Sequence, residues 1–162
     1  MADISIVSLF CEDIREEKQN TDSLMGIMPD NLNVPGPGAI PRMALYTRIH
    51  LNPAFDPGRI HIRIVQANGE EVSLGDIEPH LVKKARDDAV AAGVPIAGVI
   101  SRAVFGNFPI KAEGVVRAIV LAAGTETISA MLNVKFIGAA SAPSASAPQP
   151  AQSPAAVLAS KP

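Results

Sequence analysis

The chain has no tryptophan, a single tyrosine and a single cysteine, and no long uninterrupted apolar run. Each of these absences removes a class of function. One cysteine, Cys11, excludes an internal disulfide and any multi-cysteine metal site. Five phenylalanines and one tyrosine leave little on which to stack bases. With 14 basic and 16 acidic residues intermixed, the net charge of −2 supplies no global positive field for nucleic acid or an anionic membrane. No window approaches the roughly 20 apolar residues of a membrane-spanning helix. The opening MADISIVSLFCEDI lacks a basic leader, and Ser5 and Ser8 break its apolar run before it ends in acid, unlike a secretory signal. These readings predict a cytoplasmic protein with neither nucleic acid nor membrane as partner. Cys11 sits in an apolar alternation with no nearby base, so a buried structural thiol is expected there, not a nucleophile.

What is present changes character at Gly138. Before it, short apolar runs alternate with Gly/Pro turn signals; after it almost everything is Ala, Ser and Pro. Residues 1–137 are expected to form one domain, large enough to bury roughly two-thirds of its unfolded surface. Residues 138–162 carry no aromatic residue and only Lys161 as a charge, too little to offset the entropy of ordering, and are expected to be disordered. Ala155-Ala156-Val157-Leu158 is a candidate docking element within that tail, although its composition favours an inert extension.

Within the domain, Ile4–Cys11 is dense in β-branched and aromatic residues and predicts a strand. A charged stretch follows, and Leu24, Met25, Ile27 and Met28 resume the apolar signal, as in a long hairpin with an acidic tip. Pro29–Pro41, PDNLNVPGPGAIP, predicts a surface crossover, because its prolines and glycines do not sustain a sheet interior. Met43–Leu51 alternates, with Leu45, Thr47, Ile49 and Leu51 inward and Tyr46, Arg48 and His50 outward. After NPAFDPG the alternation returns with Ile60, Ile62 and Ile64 inward and His61 and Arg63 outward. Asn68-Gly69 predicts a two-residue turn to Glu71–Leu74, so that three consecutive strands meander. Asp76 is a candidate cap for a helix starting at Ile77 and ended by Gly93, with Ile77, Leu81, Ala85 and Ala89 inward and Lys83–Asp87 and Lys84–Asp88 paired outside. Ile96–Phe105, Phe108–Ala112, Val115–Ala122 and Thr127–Phe136 predict further strands, the last two joined at Ala123-Gly124.

Short strands at spacings near ten residues, without crossover helices between them, predict a mainly β fold. The architecture expected is an antiparallel β-sandwich of about seven to nine short strands with one inserted amphipathic helix. The order of apolar strand, Cys-Glu-Asp, charged loop and LMGIM at positions 6 to 28 resembles the opening of a family of small uncharacterised bacterial proteins, a domain of unknown function. The run Leu45–His50, RIVQANG at 63–69 and a final strand pair around Gly124 resemble that family too. The resemblance implies an antiparallel β-sandwich with no assigned activity and no catalytic residue to carry over; the helix between Asp76 and Gly93 departs from it.

The motifs of chemistry are missing: no HxH, HxxxH or HExxH, no GxSxG, no GxxxxGK[ST] and no GxGxxG after a strand. In Gly36-Pro37-Gly38 the proline removes an N–H donor, so that segment is a turn and not an anion nest. Glu12, Asp13, Glu16, Glu17, Asp22 and Asp30 lack calcium-loop spacing, and a solvated hairpin tip is the simpler reading. If the hairpin closes symmetrically about NPAFDPG, His50 lies opposite His61 and Arg48 opposite Arg63, cross-strand neighbours about 5 Å apart. Two full charges at that distance repel by roughly 1 kcal/mol in water. Such a quartet of Arg48, His50, His61 and Arg63 is neutralised by the Glu12–Glu17 segment, or is a solvated face in a slipped register, or receives an external anion or acidic partner. It is therefore the candidate interaction face. The function expected is a non-enzymatic structural or protein-interaction module, its partner an unknown protein or a second copy of itself. The alternative is a small-ligand or anion-binding protein using the same face. No catalytic residue, metal or cofactor is assigned.

Overall fold

The computed structural model describes residues 3–18 and 21–138. Among them are nine strands and one helix in chain order: β1 (Ile4–Glu16), β2 (Asp22–Ile27), β3 (Asn31–Val34), β4 (Gly38–Leu51), β5 (Ile60–Val65), β6 (Glu71–Ile77), α1 (Pro79–Ala91), β7 (Ala97–Ile110), β8 (Gly114–Ala122) and β9 (Thr125–Phe136). The first sheet has the order β2-β1-β4-β7 and the second β3-β9-β8-β5-β6. The fold is the mainly β sandwich that the alternating pattern predicts. The expected tail, 138–162, lies outside the described residues beyond Gly138.

The inward sets are those of the period-two reading. Leu45, Ile49 and Leu51 of β4 face Ile60, Ile62 and Ile64 of β5 across the core, and each is at most 1% exposed. Val116, Val120, Leu132 and Val134 fill the layer from β8 and β9. One polar line crosses this core. The Thr47 hydroxyl lies 2.8 Å from Ser8 Oγ, which donates to Ser129 Oγ at 2.8 Å, and Ser129 donates to the carbonyl of Ala118 at 3.3 Å. Each buried hydroxyl is thereby satisfied, and the chain of bonds ties the first sheet to the second.

Several expectations are corrected. Pro29–Pro41 is not a crossover but supplies β3 and the start of β4. The prolines are accommodated because β3 is a four-residue edge strand bonded only to β9, Pro35 and Pro37 sit in the bend after it, and Pro41 lies in a gap of the β4–β7 ladder. That gap falls between the pairs Ile40↔Phe108 and Arg42↔Gly106, where Asn107 takes φ 53°. The sandwich is not wholly antiparallel either, since β3 and β9 run parallel. The runs expected at 96–105 and 108–112 are one strand, β7.

Both hairpin turns keep their glycine, with different geometry. Ala123 and Gly124 both have positive φ, 51° and 71°, as a two-residue turn requires. At Asn68-Gly69 only Gly69 does, closing a three-residue loop through Gly69 N–H to Gln66 O. The helix starts later than expected, because β6 continues through Ile77 and proline occupies the first turn. Val82 and Ala89 are its buried residues, Ala85 packs beside them, and Leu81 is 47% exposed. Its end is as predicted: Gly93, at φ 66°, donates to Val90 O and Val94 donates to Ala89 O, while Lys83–Asp87 and Lys84–Asp88 pair outside.

Candidate functional site

The cationic quartet is not assembled. His50 lies between Ser5 and Gly98, and Arg48 between Val7 and Ile100, in the first sheet. His61 lies between Asp76 and Leu121, and Arg63 between Ser73 and Ile119, in the second. Outward parity holds for all four, but the two outer faces are on opposite sides of the molecule. The cause is the segment 52–58, which is no hairpin loop. Asn52 N–H donates to Asp3 O ahead of β1, whereas Pro57 O accepts from Ala123 N–H at the β8–β9 turn, so the chain changes sheets here.

On the second sheet's outer face the cations find carboxylates from β6 and β9 instead of from the Glu12–Glu17 segment. Arg59 Nε donates to both oxygens of Asp76 at 3.0 and 2.9 Å, and His61 Nδ1 lies 2.7 Å from Asp76 Oδ1. Arg63 makes a two-pronged bond to Glu126 at 2.8 and 3.0 Å, with Glu71 3.5 Å away. The Arg59 guanidinium, and then His61, hold the Asp76 carboxyl below the usual carboxylate range, and Arg63 does the same to Glu126.

Ser73 Oγ is 3.4 Å from His61 Nε2, so Ser73, His61 and Asp76 stand in the order of a nucleophile, base and orienting acid. Two features set this line apart from an activated serine. Asp76 is fastened by Arg59, and Ser73 Oγ already accepts the Gly75 N–H at 3.3 Å. Neither of two cavities among the described residues borders it.

Two carboxylates of the acidic segment are likewise held in ion pairs. Asp13 accepts from Arg42 at 2.7 Å, with Arg15 at 3.8 Å, and Asp22 accepts from Arg102 at 2.8 Å. Among the described residues no three His, Cys, Asp or Glu side chains are grouped to hold a metal ion. The Asp22–Arg102 pair is informative about shape. β2 and β7 are the two edges of the first sheet with β1 and β4 between them, a span of about 14 Å in a flat sheet. Side chains from those edges meet, and the Asp22 side chain is only 4% exposed, because the β1–β2 arm curls over the sheet. Cys11, where β1 passes from β4 to the arm, is fully buried and reduced, and burial first, then Asp13, pushes its thiol pKa up.

The arm and the proline-rich strap 29–41 enclose the larger cavity, a groove of about 870 Å³. Met25, Ile27 and Met28 line it from the arm, Leu32 and Val34 from β3, and Ile110 beneath. Met25 and Ile27 are 41% and 58% exposed, whereas Ile110 is 3% exposed and belongs to the core. The strap contributes Pro35, Pro37 and Pro41, each lacking a backbone donor, which keeps the wall apolar. At Gly26, with φ 60°, the Glu12 side chain lies over the bare backbone, its carboxyl carbon 2.6 Å from where a Cβ would stand. At the rim Glu12 and Asp13 balance Arg15 and Arg42.

Sequence reasoning passed over this groove. Its signal was the juxtaposition of LMGIM with a strap holding one charge, Asp30, in thirteen residues, 29–41. No family model matches the chain, and no curated protein or solved structure matches it either. Among the described residues no helix is long and apolar enough to cross a membrane.

Proposed function

We propose that this protein is a protein-interaction module whose arm–strap groove receives an extended, uncharged apolar segment of a protein partner. The observation that carries this reading is the exposure of Met25 and Ile27 in a concave, largely apolar groove of about 870 Å³. Apolar surface gathered in one place and left uncovered is the usual mark of an interaction site. Methionines at its wall adapt to varied side chains. Opposed charges at the rim leave no net field to select an anion, and His61 and Arg63 already hold carboxylates, so the anion-binding alternative loses its cationic cluster.

The test is selection of uncharged twelve-residue peptides from a display library on the full chain, followed by titration into the Met25→Ser, Ile27→Ser double variant. The selected peptides should lose at least about tenfold in affinity, with unfolding free energy within about 0.5 kcal/mol of the parent because both side chains are exposed. Equal binding to parent and variant, or a library that yields no preference, sinks the reading.

A further inference from the structure

We infer that the partner segment is bound as an added β-strand, taking beside Gly38–Arg42 the place that β1 gives up where it turns out into the arm. This mode of binding rests on the groove being a receptor for extended apolar segments.

The site is a vacancy in the first sheet. The β1–β4 ladder runs from Ile4↔Leu51 to Cys11↔Ala44 and stops there, whereas the β4–β7 ladder continues to Gly38↔Ile110. From Gly38 to Arg42, β4 is therefore paired on one side only, and all of these residues line the groove. The ladder also fixes where their backbone groups point. Asn52 N–H donates to Asp3 O, one step beyond the pair Ile4↔Leu51, and in an antiparallel ladder alternate residues turn N–H and C=O to the same neighbour. The even-numbered residues of β4 thus face β1, and Arg42, Ile40 and Gly38 keep that orientation after β1 has left. Pro41 fits this parity: it is odd-numbered, so its missing donor falls on the β7 side, at the gap in that ladder. Among the described residues no ladder pair or turn bond meets Gly38, Ile40 or Arg42 from the vacated side.

An apolar segment needs such an edge. Its own N–H and C=O groups must be satisfied on entering the groove, and a wall holding Pro35, Pro37 and Pro41 is short of donors. The open edge of β4 presents donors and acceptors at the spacing of a strand, which is the basis of recognition by strand addition. Gly38–Arg42 extends over about 17 Å, which sets the paired length. Side chains opposite Ile40 and Arg42 fall on the face of those two residues, which line the groove together with Met25 and Ile27, so alternate positions of the segment are apolar. Charge complementarity sets the remainder. Glu12 and Asp13 against Arg15 and Arg42 leave the rim neutral, which matches a segment without ionised side chains. The occupant is an uncharged, β-forming stretch of a partner protein with Val, Ile or Thr at alternate positions.

The test follows backbone groups in the full chain and uses the uncharged twelve-residue library peptides as probe. In the free chain, amide exchange should be fast at Ile40 and Arg42 and slow at Ala44, which is paired with Cys11. Saturating peptide should slow Ile40 and Arg42 at least about tenfold. A single N-methyl group moved along the peptide should weaken binding at least about fivefold at every second position of a stretch of about five residues, and little between them, because alternate N–H groups meet β4. A peptide that binds the parent and is lost on Met25→Ser, Ile27→Ser, yet leaves exchange at Ile40 and Arg42 unchanged or gives a methyl scan without that period, overturns the strand addition and leaves the groove a receptor. If no peptide binds, both readings fall. Slow exchange at Ile40 and Arg42 in the free chain also overturns the inference: where hundredfold dilution quickens it, a second copy fills the place, and where it does not, the chain closes the place itself.

Discussion

On the outer face of the second sheet, Arg59, His61 and Arg63 each have a carboxylate oxygen within 3.0 Å, whereas at the arm–strap end Met25 and Ile27 stay 41% and 58% exposed. The charged face was the conspicuous one in the sequence and is occupied by its own chain. The apolar end was inconspicuous and is open. Adjacent strands of a sheet bring side chains within about 5 Å, so Arg59 and His61 met Asp76 on β6 at little conformational expense, while the long Arg63 side chain reaches across β8 to Glu126 at the start of β9. The apolar residues of β2 have no such neighbour, because β2 is an edge strand whose hairpin leaves the sandwich. An arm that extends past the paired part of the sheet keeps its apolar residues available.

Three changes separate these two regions further. The largest effect is expected at the floor that the groove shares with the core. Ile110→Ala should lower unfolding free energy by about 2–5 kcal/mol, read by urea denaturation, since Ile110 is a buried core residue as well as a groove wall. A loss below about 1 kcal/mol would detach the groove from the core. Next is the clasp of the arm: Asp22→Asn weakens a nearly buried charge-assisted bond to Arg102 and should cost about 1–3 kcal/mol. Amide exchange should quicken in β2 and leave β8 unchanged, and uniform quickening would mean that the arm is part of one cooperative unit.

The smallest effect belongs to the charged face and is a matter of pH. Asp76 and Glu126 have folded-state pKa values depressed by Arg59 and Arg63 respectively. Their stabilisation is therefore present above the ordinary carboxylate range, about pH 4, and is lost as pH falls through the lower folded values. Asp76→Asn should leave Tm nearly unchanged at pH 7, since surface pairs contribute little, and should flatten the fall of Tm below about pH 4. A variant with an unaltered acid limb would show that Asp76 is not among the groups responsible.

Much of the fold was legible from particular residues. Alternation in 43–51 and 60–65 identified Leu45, Thr47, Ile49, Leu51, Ile60, Ile62 and Ile64 as inward but passed over the buried Met43, Ala44 and Val65; Ala123-Gly124 marked its turn, and Gly93 the helix end. The candidate face was half legible, because outward parity was right for Arg48, His50, His61 and Arg63 and their juxtaposition was not. The helix start failed for a related reason. Asp76 is a good capping residue by type, but in the folded chain it is held by Arg59 and His61 on a strand.

The sequence by itself determined the alternating strands and the single helix, though not β3 or the unity of β7, because the period of a strand is a property of the strand alone. Tertiary structure decided which sheet each strand joined. The tethers Asn52 to Asp3 and Ala123 to Pro57 carried 52–58 from one sheet to the other, split the cations, and left the proline strap to wall a groove with the arm. Pairing between strands is fixed by contacts distant in sequence, and no local pattern encodes them.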